Sequence, residues 1–317
     1  MKKIHFKTAI SLSAIICQLL FCVSLTACSS DDEQEQEINN GGRKVRQLTI
    51  NEVPITRASF IDNTSSLGAK WTEGDKVTCF NLTEYSLDNI VFSTLEASSS
   101  ASISTLTGSI TCDESDELAL IYPEVTIDDG TTIGNNRGTF TIDLSGQNGT
   151  LEDLAKRYHY VYGVATIGNV NGSAATGTIT SMNSLLAICK FKFKDAEDNP
   201  ITVKTVKTLE IGYSDGNGGS VGYPQTCTLH PKTDPTQVIV PNDLPLSKDN
   251  LLINLNQAVS DGVYVALFPV GSKENKNPFY FSVKTGDENP QTYTGTFSAY
   301  LIAGKYYSKE LKLTLSN

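Results

Sequence analysis

The 317-residue chain predicts an all-β protein of two tandem β-sandwiches, with one short helix near the end of the first. Three observations carry this. Apolar residues recur at every second position in run after run, the spacing that lays one face of a strand against a core. Clusters of Gly, Asn and Asp separate the runs, and these residues supply the positive φ angles and local hydrogen bonds that turns require. The chain past its leader is long enough for two domains of ordinary size, each burying a core without help from metal or disulfide.

In chain order, the alternation begins with Leu48 and Ile50. It returns with Phe140, Ile142 and Leu144 set against Thr139, Thr141 and Asp143. One segment asks to be a helix, Thr150 to Tyr158, where Thr150 caps the first turn and Asp153 completes a capping box. The Gly/Ser/Thr-rich stretch from Gly168 to Ser181 then places the end of the first sandwich near residue 180. Past it, Cys189, Phe191 and Phe193 oppose Lys190, Lys192 and Lys194. Val263 to Phe268 is apolar on both faces, as a central strand is, and stops at Pro269. Phe279, Phe281 and Val283 oppose Tyr280 and Ser282, and Leu311, Leu313 and Leu315 oppose Lys312, Thr314 and Ser316. Turns are marked by Asp129-Gly130, Gly146 to Gly149, Asp215 to Gly219, Asp261-Gly262 and Gly286 to Pro290. The expected layout is a leader over 1–27, an acidic tether over 28–46, and domains over 47–180 and 181–317.

The leader has a basic start at Lys2, Lys3 and Lys7, followed by an apolar run from Ile10 to Leu25. That is the pattern of a cleaved secretory signal, too short for a membrane span and closed by small residues. Its end, Leu25-Thr26-Ala27-Cys28, resembles the lipobox of bacterial lipoproteins. The resemblance implies cleavage between Ala27 and Cys28 and acylation of Cys28. Asp31, Asp32 and Glu33 follow at once, similar to the acidic tether that sends Bacteroidetes lipoproteins to the outer face of the outer membrane. An acidic solvated linker has the same composition.

Removing the three leader lysines takes the formal charge from −10 to −13. So acidic a chain repels nucleic acid and anionic lipid, and neither is expected as a partner. Past the anchor there remain Cys79, Cys112, Cys189 and Cys227, with no CxxC pair. In an oxidising envelope they form two disulfides in any of three connectivities, or serve as small apolar core residues; both readings stay open.

Little in the sequence points to catalysis, and no cofactor or metal is expected. His159 and His230 lie at ligand spacing from no other His or Cys. Gly218-Gly219-Ser220-Val221-Gly222 matches G-x-S-x-G, but Pro224 follows, no helix is available, and no acid lies between Ser220 and His230. It reads as a hairpin loop. Asp113 to Glu117 and Asp128-Asp129 lack the alternating acids and terminal glutamate of a calcium loop and read as solvated turns.

Several short signatures, in order, resemble the Bacteroidetes major fimbrial subunit (fimbrillin) family. They are Ile55 to Ala58, Trp71 to Val77, Ala119 to Pro123, Gln147 to Leu154, Leu185 to Phe191, Ala266 to Pro269 and Leu301 to Tyr307. The resemblance implies two transthyretin-like β-sandwiches, no enzymatic activity, and assembly with other fimbrial subunits into surface filaments. It also implies removal of a first strand, here Gln47 to Val53, by an arginine-directed protease. Arg57 is the preferred cut and Arg46 the second. A strand from the next subunit then fills the slot. Only Ser308 to Asn317 follow the Gly304-Lys305-Tyr306-Tyr307 segment, which points to a tip or accessory subunit over a stalk repeat. A surface glycan-binding lipoprotein is the alternative; a secreted hydrolase is the weakest reading.

Overall fold

The period-two runs do form strands. A computed structural model describes residues 43–54, 59–62, 67–86, 88–130, 137–201, 206–232, 247–255, 262–286 and 288–316. The first half contains β1 (Lys44–Pro54), β2 (Ser59–Asp62), β3 (Leu67–Lys70), β4 (Lys76–Asn81), β5 (Phe92–Ala97), β6 (Ile103–Cys112), β7 (Glu117–Tyr122), β8 (Phe140–Asp143), the single turn α1 (Leu151–Asp153), β9 (Val161–Asn171) and β10 (Ala174–Ser184). The second contains β11 (Ala187–Lys194), β12 (Pro200–Ile201), β13 (Val206–Tyr213), β14 (Thr226–Leu229), β15 (Leu251–Asn254), β16 (Val263–Leu267), β17 (Asn277–Thr285), β18 (Thr292–Ala299), β19 (Tyr306–Lys312) and β20 (Thr314–Leu315).

Seven strands of the first half close on themselves in the order β1-β10-β9-β7-β4-β5-β6. The all-β expectation is met, but the expected pair of open sheets is here one continuous ladder. The reason lies in β1, which pairs antiparallel with β6 and parallel with β10, so neither of those strands is left with a free edge. The Gly/Ser/Thr-rich stretch expected to end this half lies in its last hairpin, β9 and β10, turning through Gly172 at φ +59°.

Strands β4 and β7 are buried on both faces after their first residue. Val77, Cys79, Leu118 and Leu120 point into the closed ladder beside Leu48, Ile50 and Trp71. Phe80, Ala119 and Ile121 point outward into a second, larger core shared with the C-terminal strands. Two-sided burial accounts for the continuous apolar run from Ala119 to Tyr122.

In the second half β11 is the axis of one sheet, flanked by β16 and β12 along one edge and by parallel β19 along the other. A five-stranded sheet runs β15-β13-β17-β18-β20. The two bury facing aromatics, with the Phe191 and Phe281 rings 5.1 Å apart. A short β8–β14 ladder links residues on either side of 180, and Gly42–Asn317 clusters as one compact unit.

Four local expectations need correction. The helix at Thr150 is one α turn followed by a π-helical turn over Leu154–Tyr158. Thr150 caps it as expected, its Oγ1 accepting from the Asp153 amide at 3.1 Å, but the reciprocal half of the box is absent. Asp153 accepts instead from the Asn148 amide, and Asn148 Oδ1 accepts from the Thr150 amide. Lys190, expected in solvent, is only 6% exposed, with its Nζ over the ring of its cross-strand neighbour Tyr264. Leu315, expected inside, is exposed, because the chain leaves β11 after Lys312 to pair with the other sheet.

The fourth concerns β16. It is buried throughout, as its composition requires, yet among the described residues it pairs with β11 alone and is no central strand. Its other edge is satisfied by the segment after Gly146. The Gln147 amide both donates to the Ala266 carbonyl (3.1 Å) and accepts from the Ala266 amide (2.8 Å), while Gly149 O accepts from the Tyr264 amide. Tyr223 OH accepts from the Phe268 amide. A side chain thus does the pairing of a missing strand. Gly149 sits at φ +76°, and a Cβ there would lie 2.3 Å from Leu255, so this plug admits only glycine.

Candidate functional site

No catalytic constellation assembles from the residues singled out in the sequence. Ser220 Oγ donates to Asn250 Oδ1 at 2.5 Å and accepts from the Gly222 amide, and the segment behind it is irregular chain with no helix. His159 is buried; the His230 ring packs edge-on to Tyr85 at 4.5 Å, its Nδ1 accepting from the Lys232 amide. Among the described residues no group of three or more His, Cys, Asp or Glu is placed to hold a metal ion. Also among them, no helix is long and apolar enough to cross a membrane. Ala27, Cys28 and Arg57 lie outside the described residues.

Cys79, Cys112, Cys189 and Cys227 are all free thiols and all buried. Burial raises Cys112, to about 11, with the carboxylate of Asp116 adding to the shift; it raises Cys79 and Cys189 further. Raised thiols do not form thiolate at neutral pH, so they behave as apolar packing groups.

The region that concentrates unusual features is β1. Its alternation puts Leu48, Ile50 and Val53 at zero exposure inside the closed ladder. Burying each contributes about 2–3 kcal/mol. Leu48 lies opposite Gly108 on β6 and Ala175 on β10; Ile50 lies opposite Leu106 and Gly177. Small residues flank Leu48 on both sides and Ile50 on the β10 side, which leaves interior volume to the β1 side chains. Between Ile50 and Val53 the ladder with β6 bulges, and Glu52 takes φ +52°. The bulge restores Val53 to the inner face, which strict alternation from Ile50 would deny it.

The start of β1 is fastened by charge. Arg43 pairs with Glu84 at 2.6 Å and with the buried Asp116. Asp116 Oδ2 also accepts from the Asp113 amide and from Asn81 Nδ2, both at 2.9 Å. Arg46, 8% exposed, donates from Nε to the Cys112 carbonyl (2.8 Å), from Nη1 to the Gly172 carbonyl, and from Nη2 to Asp113 Oδ1 (2.7 Å). The Asp113 to Glu117 turn, expected to be solvated, therefore holds a buried carboxylate that anchors the first strand. Nothing in the acids alone distinguishes Asp116; the signal that goes with it is the Arg43-Lys44-Val45-Arg46 cluster 70 residues earlier. At the far end the sole tryptophan, Trp71, donates from Nε1 to the Val53 carbonyl at 3.3 Å and stands edge-on to Tyr122.

The arrangement is a single strand, hydrogen-bonded along both edges, whose inner side chains fill a slot of fixed register. Taken out, it would leave two bare strand edges and an apolar furrow.

No family model matches the chain, and no curated protein matches it. Among solved structures, it is similar to a candidate cell adhesion protein of Bacteroides uniformis at 12% identity, covering 87% of this chain and 97% of that one, with a TM-score of 0.46. It is also similar to a candidate cell adhesion protein of Bacteroides eggerthii (10% identity, 85% and 86% covered, TM-score 0.42). The tip fimbrial protein Mfa3 from Porphyromonas gingivalis, truncated at its C-terminus, matches at 9% identity, with 86% and 98% covered and a TM-score of 0.41.

Proposed function

We propose that this chain is a subunit of a cell-surface fimbrium, a tip or accessory subunit contributing to adhesion, assembled by strand exchange at the position of β1. The observation that carries the reading is that β1 alone closes the ladder between β6 and β10. A strand of like alternation from a neighbouring subunit would restore both sets of hydrogen bonds and refill the furrow. In this reading the precursor is cut before Cys28, held at the outer membrane by a lipid on that residue, and released when β1 is removed. In this reading the assembled subunit meets a host or bacterial surface receptor.

The extent of β1 supports one cut over the other. Arg57 lies three residues beyond its end at Pro54, so cleavage there frees the whole strand. Arg46 lies within β1, buried and hydrogen-bonded, and cleavage there would leave Gln47 to Pro54 in the slot. Arg57 is therefore favoured. Strands β19 and β20 pair inside this chain's own sheets, where Leu311 and Leu313 are buried, which keeps those two strands from serving as donors. The division into domains near residue 180 is supported by the strand partners: the closed ladder draws on 44–184, and the two larger sheets that follow draw on 187–315.

The test treats purified protein with an arginine-specific protease, sequences the new N-terminus, and mixes the product with a matching stalk subunit. A free Ala58 and a mixed assembly that loses the β1 fragment are expected. Self-polymerisation of the treated protein alone would sink the tip assignment, and retention of the β1 fragment in the assembly would sink strand exchange. A glycan-binding lipoprotein is the second reading. It has in its favour a hollow of about 650 Å³ where the exposed Phe92 and the buried Tyr160 meet Glu124, Asp128, Thr141 and Thr228. Thermal stabilisation by polysaccharides, lost in Phe92→Ala, would support it.

A further inference from the structure

The two sheets of the C-terminal half part company between β18 and β19. Strand β18 meets β20 only at Tyr293 and Thr294, so among the described residues its edge from Gly295 to Ala299 has no strand partner. Strand β19 pairs along one edge, with β11. The gap between them opens a cleft of about 220 Å³ into the core, walled by Cys189, Phe191, Phe279, Phe281, Phe297 and Tyr307. A second hollow, of about 260 Å³, continues it along the same strands and shares Phe281, Phe297 and Lys309.

The mouth carries the opposite character. Lys276 and Lys309 line it, and both are exposed. Their neighbours on β19 are neutralised, Glu310 by Lys194 at 2.7 Å and Lys312 by Asp198 at 2.9 Å. Among the described residues Lys276 and Lys309 have no carboxylate partner; the contact recorded for Lys309 is with the Phe297 ring, its Nζ 5.0 Å from the centroid. In a chain of net charge −10, two uncompensated cations over an apolar hollow form a local inversion of sign.

Walls of this composition do not favour water, which needs two or more polar partners where it lodges. The volume exceeds the roughly 150 Å³ of an engineered apolar cavity that takes benzene, so it admits one ring or a short acyl chain. The ion that matches the mouth is an anion. We propose that this cleft binds a small amphiphilic monocarboxylate, its aromatic or short acyl body among Phe279, Phe281 and Phe297 and its carboxylate between Lys276 and Lys309. Lys309 would swing from the Phe297 ring to the carboxylate, exchanging a cation–π contact for an ion pair.

Octanoate, octanol and octylamine separate the two halves of the idea when titrated by calorimetry into the full chain, purified without detergent. Octanoate should bind about five-fold more tightly than octanol, as an ion pair at a partly exposed rim allows, and octylamine most weakly. Lys309→Gln, an exposed position, should narrow the gap between octanoate and octanol, Lys276→Gln combined with it should close the gap, and octanol should be unchanged by either. Ala299→Trp, which fills the cleft, should abolish binding of both; Ala299→Leu serves if the tryptophan variant does not fold. Equal affinity for octanoate and octylamine, no heat from octanoate up to about 10 mM, or binding unchanged by the filling variants would overturn the proposal.

Discussion

Truncating Ile50 to alanine tests how firmly β1 is held. Ile50 has no exposed surface and points into the closed ladder opposite Leu106 on β6 and Gly177 on β10. Loss of a buried Ile side chain costs about 2–5 kcal/mol, more when the walls cannot close on the space left behind. Here one wall is a glycine, whose hypothetical Cβ would lie 3.5 Å from Ile50 Cγ1. Gly177 has no side chain to move into the space, so the upper half of the range applies, about 3.5–5 kcal/mol. That is on the order of 10³-fold in the folding equilibrium. With a urea slope of about 2–3 kcal/mol/M, the midpoint should fall by roughly 1–2.5 M. The readout is built in: Trp71 is the sole tryptophan, is buried, and donates to the Val53 carbonyl of β1, so its fluorescence follows β1 docking. Val45→Ala on the same strand, at 63% exposure, is the control and should stay within about 0.5 kcal/mol. If Ile50→Ala also stays within that margin, β1 is not held by its inner face, and the slot it occupies would have little to offer a partner strand.

Two further outcomes follow from the same geometry. Gln147→Leu leaves the amide and carbonyl of Ala266 buried without partners and should cost about 2–4 kcal/mol in urea unfolding; Gln147→Glu restores only the acceptor and should fall between it and the parent. The Cys112 thiol, raised to about 11 from an ordinary value of 9, keeps its proton in the folded chain at a pH where the unfolded chain has lost it. Its contribution is complete below pH 9 and is lost as pH rises from 9 to 11, so stability should decline across that window. The decline should be smaller in Cys112→Ala, and an unchanged slope in that variant would refute the assignment.

How much of this was legible beforehand differs from strand to strand. Phe279, Phe281 and Val283 announce both a strand and its buried face, because alternation with period two is a local property of extended backbone. The same holds for Phe140 and Ile142. Thr150 announces a helix start, since its hydroxyl needs only the amide three residues on. The run from Val263 to Phe268 announces two-sided burial but not what covers its second edge. That role falls to the Gln147 amide, 119 residues away in sequence. Lys190 misleads for a related reason: its alternation is right, but the face opposite the core is itself occupied by Tyr264. Of the candidate site, Leu48 and Ile50 were readable as an inward face and Arg46 only as a basic residue. Its burial depends on the Cys112 and Gly172 carbonyls, which no local pattern brings near it.

The sequence by itself determined that this is a chain of short amphipathic strands separated by glycine-rich turns, and which side of most strands is apolar. Those properties follow from each residue and its immediate neighbours. Only the tertiary structure decided that β1 stands between β6 and β10, that Asp116 is a buried anchor, and that β18 and β19 leave a cleft between them. An alternating strand satisfies its inner face and its hydrogen bonds beside any neighbour of like pattern and suitable register. The choice among neighbours is made by contacts between distant parts of the chain, such as Arg43 with Asp116 or Trp71 with Val53.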